Sequence, residues 1–250
     1  LLINNKLEIF PKSLLKMVSS IIQSIPSGIP KVRRLQKLSR DWGASNTDKL
    51  LGYFNWLPNN ELFRELFSIE SRNEIENYAP YSYGKILLQN NAHLSQLDQM
   101  LLLEQNTFLI DHNLNYTDKL SMSHGVEARV PYLDFELVKL AGHIPPKIKM
   151  KNNVPKYILK KVAEKYLPKD VIYRSKTGFG APVKELIKGD FKKRVSNDLS
   201  KIKVEKDGIF NYQTIEKVIT DNNSGKTDYS YNILSLLSIQ SWLNQFPWKS

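Results

Sequence analysis

Apolar residues in this chain recur three and four positions apart, and the two-residue alternation that marks strands is scarce throughout. That spacing places them on one stripe of a helix, so the chain is read as mainly α, a series of helices burying a common face. Leu14, Leu15, Val18, Ile21 and Ile22 set the first stripe within residues 11–40, with Lys12 and Lys16 between them. Pro26, Gly28 and Pro30 interrupt it. Lys31, Arg33, Arg34, Lys37 and Arg40 follow, interleaved with Val32, Leu35 and Leu38. A basic amphipathic segment of this kind binds a membrane surface, a nucleic acid or its own domain. The apolar stripe continues into later helices, which favours packing on its own domain.

Residues 47–68 read as further helix whose aromatics, Tyr53, Phe54, Trp56, Phe63 and Phe67, are expected in a core. Residues 94–110 are the most apolar stretch, too short and too polar to cross a bilayer, and are expected to form a buried central helix. Asp134 is placed to cap a helix over 135–142, with Leu137, Val138, Leu140 and Ala141 as its buried face and Pro145-Pro146 ending it. Residues 155–166 read as an amphipathic helix with Pro155 at its first position and Tyr157, Ile158, Val162 and Tyr166 on one side. Residues 190–227 are charged and polar, with a loop expected at 222–226. A closing core helix is expected over 229–245, carrying Ile233, Leu234, Leu236, Leu237, Ile239, Trp242 and Leu243.

The 250 residues suffice for one large domain or two small ones. Lys and Arg number 36 against 25 Asp and Glu, a net charge of +11. A surplus of that size points to an anionic partner: nucleotide phosphates, nucleic acid or an acidic protein surface. No recognised nucleic-acid module accompanies it, so nucleic acid is not expected as a partner. The chain has no cysteine, which excludes disulfides, thiolate metal sites and a Cys nucleophile, and fits a reducing cytoplasm. No apolar run approaches the roughly 18–20 residues that cross a bilayer, so no membrane partner is expected. The N-terminus shows no signal layout and no initiator Met, and the chain is expected to begin within a longer protein.

Two segments carry the chemistry. Residues 118–134, DKLSMSHGVEARVPYLD, pack Asp118, Lys119, His124, Glu127, Arg129 and Asp134 among Leu120, Met122, Val126, Val130, Tyr132 and Leu133. Charges set among apolar anchors imply partly buried heads that are paired or used. The alternative is a helix and loop laced with structural ion pairs. Ser121, Ser123 and His124 show no nucleophile–base–orienter pattern, and His124 is read as structural. The second segment, Lys176-Thr177-Gly178-Phe179-Gly180-Ala181-Pro182, is a loop. Its glycines allow close backbone approach to a ligand, and its lysine can reach a phosphate. An ordinary surface turn is the other reading.

Together, D-K-x-S-M-x-x-x-V-E-A-R-V-P-Y-L-D at 118–134 and Y-R-S-K-T-G-F-G-A-P at 173–182 resemble the synthetase domain of glutamine-dependent asparagine synthetases, as does the intervening 155–172. The resemblance is strongest over 95–190. It implies the C-terminal helical portion of an α/β, PP-loop type of synthetase domain. Within it, 1–70 is a basic helical lead-in, 71–190 the motif-bearing core and 191–250 the closing helices. It also implies a reaction in which a carboxylate, aspartate in the family, attacks the α-phosphate of ATP, after which ammonia derived from glutamine displaces AMP. Glu127 then matches the general base that handles the proton of ammonia. Lys176 matches the residue that stabilises charge on the α-phosphate. Asp118 and Arg129 orient Glu127 or the substrate. Gly178 and Gly180 lie near the nucleotide.

The family's S-G-G-x-D-S nucleotide loop, its acidic magnesium motif and its Cys-initiated glutaminase domain have no counterpart here. The resemblance therefore implies ATP and Mg2+ as cofactors of an intact enzyme most of whose ligands lie elsewhere, with no metal ligand assigned in this chain. The expected partner is a missing N-terminal half or a separate subunit. Apolar surface is expected to be exposed where its sheet belongs. Two other readings stay open: an inactive companion module docking on a subunit with the ATP site, and a ligase for another carboxylate, such as a uronic acid of a polysaccharide.

Overall fold

The computed structural model of the chain describes residues 9–25, 30–54, 60–79, 81–175 and 181–246. It is mainly helical, as the periodicity requires, and among the described residues the sheet is a single two-stranded hairpin. The chain divides into two compact units, one made of residues 1–80 and 180–250, the other of 81–179.

The first unit opens with a helical hairpin, α1 (Lys12–Ser24) and α2 (Pro30–Ser39). Its inner face is held by polar side chains. The buried Ser19 hydroxyl donates to the Ser39 carbonyl at 2.7 Å. Gln23 Nε2 donates to the Gln36 carbonyl at 2.8 Å, and Gln36 Nε2 returns to the Ile25 carbonyl at 2.6 Å. The Gln36 amide thus closes carbonyls left open at the end of α1. The basic amphipathic segment thus packs on its own unit, through Leu15, while Leu14, Met17 and Ile21 of the same helix stay exposed. Gly43 sits in the left-handed region at φ +76, where an added Cβ would stand 2.6 Å from the Lys12 carbonyl. The turn after α2 reaches α1 only because this residue has no side chain.

Residues 47–68, read as one helical stretch, instead hold α3 (Asn46–Gly52) and α4 (Asn60–Glu65). Tyr53 is exposed, whereas Phe63 and Phe67 pack edge to face at 5.2 Å. Trp56 lies outside the described residues. Past α4 the chain pairs with a distant segment: Ser68 N donates to Ile209 O, Asn211 N donates to Leu66 O, each at 2.9 Å, and Phe67 bridges Phe210. The short α5 (Ile69–Glu74) follows, capped by Ser68.

The stretch read as charged and polar, 190–227, supplies much of this unit's core. It folds as α14 (Lys192–Asp198), α15 (Lys201–Asp207) and α16 (Tyr212–Asn223), after α13 (Val183–Lys188). Val195, Leu199, Val204, Ile215 and Val218 are buried there. Their apolar positions are few but fall on inward faces, and the polar residues between them hide the stripe from a composition reading. The closing helix α17 (Ser230–Gln245) forms as expected, burying Ile233, Leu236, Leu237 and Leu243 and leaving Ile239 and Trp242 outside.

In the second unit, α6 (Ser82–Asn90) leads to α7 (Gln96–Asn106), whose N-cap Ser95 accepts from Asp98 N at 3.2 Å. The expected buried helix over 94–110 is corrected in two respects. Only Leu103 of α7 is fully buried. The helix also stops at Thr107 and rewinds as a π-helix over Phe108–Leu114, which turns its later residues outward. Then come α8 (Asn115–Met122), a 3-10 turn at Pro131–Leu133, α9 (Phe135–His143), α10 (Pro146–Lys149), the hairpin β1 (Met150–Lys151) and β2 (Val154–Pro155), α11 (Tyr157–Ala163) and α12 (Lys169–Tyr173). Pro155 is a strand residue and not a helix start, because Lys156 interposes a left-handed residue before α11. Asp134 does cap α9, accepting from Leu137 N at 3.0 Å. The apolar face of α9, expected inside, is exposed: Leu137 is 41% and Leu140 61% accessible.

Candidate active site

Asp118 lies in the first turn of α8, and Ser123 and Gly125 end that helix. Gly125 takes φ +65, the left-handed conformation that closes a helix C-terminus without a Cβ penalty. Val126 N returns to the Ser121 carbonyl at 3.0 Å, and the chain leaves the helix toward Pro131. Glu127 and Arg129 are two apart on this connection, and their side chains meet: Arg129 Nη2 donates to Glu127 Oε2 at 3.0 Å. Past them, Pro131 fixes the 3-10 turn, and Asp134 begins α9. A capped helix end, a proline turn and a second capped helix thus bracket the carboxylate and guanidinium.

The structure brings Glu127 and Arg129 together and leaves Asp118 apart. Among the described residues Asp118 makes no ion pair or side-chain hydrogen bond to either. The expected partly buried setting is corrected: Arg129 and Glu127 side chains are 83% and 68% exposed, so their pairing is solvated and stabilises the fold little. Leu120, Met122, Val126, Val130 and Tyr132 around them are exposed too. The physical reason is that most of these residues lie on the open connection between α8 and the 3-10 turn, where no described helix of the second unit packs on them. Ser123 Oγ donates to the Leu120 carbonyl at 2.7 Å and lies 2.9 Å from His124 Nδ1, local bonds that finish the helix and organise no nucleophile.

Lys176, Gly178 and Gly180 lie outside the described residues. The segment leading to them is held in a way that the sequence did not announce. Tyr173 Oη donates to Glu164 Oε1 at 2.5 Å, and Lys161 Nζ donates to the same carboxylate at 2.8 Å. The Lys161 ammonium, then the Tyr173 hydroxyl, hold the Glu164 carboxyl below its ordinary range. Lys161 and Glu164 are three apart on a helix and so foreseeable. Tyr173 enters only because α12 folds back beside α11. A further tie joins Lys149 to Asp98 at 2.8 Å, anchoring the start of the hairpin to α7. Burial alone would raise the Asp98 carboxyl, but Lys149 and Ser95 outweigh it and the carboxyl is lowered.

Among the described residues no group of three or more His, Asp or Glu could hold a metal ion, and no helix is long and apolar enough to cross a membrane. These residues therefore do not by themselves fit a magnesium site.

Comparison with known proteins agrees with the motifs. The family model described as asparagine synthase matches residues 20–244. The chain is similar to asparagine synthetase (glutamine-hydrolysing) 1 of Bacillus subtilis, 28% identical over 158 residues, which cover 63% of this chain and 25% of that protein. Asparagine synthetase (glutamine-hydrolysing) 3 of the same organism is 31% identical over 123 residues, 49% of this chain and 19% of that protein. Amidase chry2 of Gibberella zeae is 30% identical over 117 residues, 44% of this chain and 17% of that protein. The matches thus span a quarter or less of these relatives' lengths. No solved structure gives a significant match. With the match running through both motif segments and the closing helix, the chain belongs to the asparagine synthase family, a family of amide-forming ligases with a PP-loop type of synthetase fold.

Proposed function

We propose that this chain contributes Glu127 and Lys176 to a site that activates a carboxylate, aspartate or a related acid, with ATP and converts it to an amide with ammonia from glutamine. The observation that carries this reading is the Glu127–Arg129 pair, 3.0 Å apart and bracketed by two capped helices on an uncovered apolar face. Near neutral pH ammonium must lose a proton before or as the tetrahedral intermediate collapses to amide, and a carboxylate within reach accepts it. Arg129 holds Glu127 in place before a substrate arrives. Lys176 supplies positive charge to the α-phosphate as the acyl-adenylate forms. The phosphate cradle and the metal belong to a nucleotide-binding portion that docks on the apolar face around Val126, Val130 and Tyr132. The Tyr173–Glu164–Lys161 network fixes the segment that leads to Lys176. We place the reaction in the cytoplasm, where ATP and glutamine are supplied.

The test is reconstitution. Residues 1–250 alone are expected to release no pyrophosphate from ATP. Co-expression with a polypeptide carrying the S-G-G-x-D-S loop and a glutaminase domain is expected to restore carboxylate-dependent release of pyrophosphate and amide. In that assembly Glu127→Gln is expected to lower amide formation about 10²–10⁴-fold while adenylation persists. Lys176→Ala is expected to lower adenylation itself by about 10²–10³-fold. Amide formation by residues 1–250 alone, or an unchanged rate with Glu127→Gln, overturns the proposal.

A further inference from the structure

The net charge of this chain is concentrated. Residues 147–169 hold eight lysines, no arginine and one carboxylate, Glu164. Two of these lysines are committed, Lys149 to Asp98 and Lys161 to Glu164. Among the described residues Lys147, Lys151, Lys156, Lys160 and Lys165 have no ion pair. Charges of one sign on a short surface repel one another, so the arrangement costs stability unless something anionic answers it.

The lysines are also held. Lys151 Nζ sits 5.2 Å from the centre of the Tyr157 ring, and Lys161 Nζ lies 6.0 Å from the same ring. Lys160 Nζ sits 5.3 Å from the centre of the Tyr173 ring. A ring face attracts an ammonium and limits its wandering, so these heads are partly ordered before any ligand binds. The backbone beneath them is specialised. Asn152 and Asn153 take φ 49 and φ 63, the paired left-handed residues of a tight two-residue hairpin turn. Lys156 then takes φ 57, a conformation that costs a non-glycine residue about 1–2 kcal/mol. Lysine stands there although asparagine or glycine would take that conformation with less strain.

From this geometry we infer that the β1–β2 hairpin with α11 and α12 forms a docking surface for an extended chain of phosphates, of the inorganic polyphosphate class. Lysine without arginine suits it, because ammonium groups act as compact point charges on phosphate, whereas protein interfaces are depleted in lysine and enriched in arginine. Nucleic acid fits less well, because ammonium groups already sit over the Tyr157 and Tyr173 rings that would stack bases. Binding is driven by counterion release and spreads over several lysines, with no single pocket. A role in gathering phosphate-bearing substrates for amide formation rests on the ligase reading above; the binding itself does not.

The experiment titrates the full 250-residue chain calorimetrically with long-chain inorganic polyphosphate at several salt concentrations. Three proteins are compared: the natural chain, a Lys151→Gln/Lys160→Gln/Lys165→Gln variant, and a control of equal charge, Lys184→Gln/Lys193→Gln/Lys217→Gln. The patch variant is expected to bind at least about tenfold more weakly, about 1.4 kcal/mol. Its slope of log affinity against log salt is expected to be shallower by about one per contacting lysine removed. The control is expected to stay within about twofold of the natural chain. Equal losses in the two variants would assign the binding to net charge and overturn the proposal. So would a thymidine oligonucleotide that binds as tightly per phosphate. Circular dichroism checks the fold, and single Lys160→Gln and Lys165→Gln variants repeat the comparison should the triple variant unfold. Neither readout requires amide formation, so failure here and failure of the ligase reading are separate results.

Discussion

Asp98 and Asp198 are partly buried carboxylates whose surroundings make the fold sensitive to acid. Lys203 at 2.9 Å is the main cause that lowers the Asp198 carboxyl, with Arg194 adding to it and burial opposing it. For Asp98, burial is the largest influence and opposes the lowering by Lys149 and Ser95. Both groups hold their protons less tightly in the folded chain than in the unfolded one. Their stabilisation is therefore complete above the unfolded carboxylate value of about 3.9 and is lost as pH falls through the folded values. Urea midpoints measured from pH 7 to pH 3 are expected to fall at the acid end, and less steeply in Asp98→Asn and Asp198→Asn, which start lower at pH 7. Gly43 gives a second prediction at this scale. Gly43→Ala places a Cβ at φ +76 against the Lys12 carbonyl, and is expected to cost more than about 1 kcal/mol by denaturant unfolding.

At the scale of elements, the helix that follows the site depends on its cap. Asp134→Ala removes the acceptor for Leu137 N and is expected to cost about 1 kcal/mol, seen as faster amide exchange over 135–143. The hairpin offers the opposite sign. Asn153 sits at φ 63 in the second turn position, where glycine is the residue most at ease. Asn153→Gly is expected to slow amide exchange across Met150–Pro155 without changing the charge of the patch. The π-helix at Phe108–Leu114 shows how an element carries a site. His112 stacks on Phe108 at 4.6 Å and meets Tyr116 edge-on at 5.2 Å, joining α8 to the turn before it.

Across the whole molecule, burial is uneven. The first unit has a core in which Ile215 and Ile233 are fully inaccessible. Ile233→Ala is expected to cost about 2–5 kcal/mol by urea unfolding, against much less for Trp242→Ala, whose side chain is half exposed. The second unit shows water many apolar side chains, with Phe135 74% and Leu140 61% accessible. Apolar side chains left in water in this number give a partner surface to bury. The chain is expected to bind an apolar dye in native buffer, and Phe135→Ser/Leu140→Ser is expected to reduce that signal without lowering the melting temperature. Loss of the dye signal on adding a nucleotide-binding partner would support the docking proposed above.

Helix, capping and motif were legible in the residues themselves, because each is set by neighbours three or four positions apart. The stripe of α17 and the Asp134 cap are of this kind. So was the family, because its two motifs are contiguous runs. Contacts between distant segments were not legible. Nothing in the residues announces that Leu66–Ser68 will exchange backbone hydrogen bonds with Ile209–Asn211, or that Tyr173 will reach Glu164. Burial was misjudged for the same reason: the periodicity of α9 says which side is apolar, and only packing decides whether that side meets a neighbour or water. The amino-acid sequence by itself determined the helical character of the chain, its closing helix and the family, since these are local properties of the chain. Tertiary structure alone decided that Glu127 meets Arg129 and not Asp118, and that their surroundings stand open, since these depend on which surfaces the folded chain brings together.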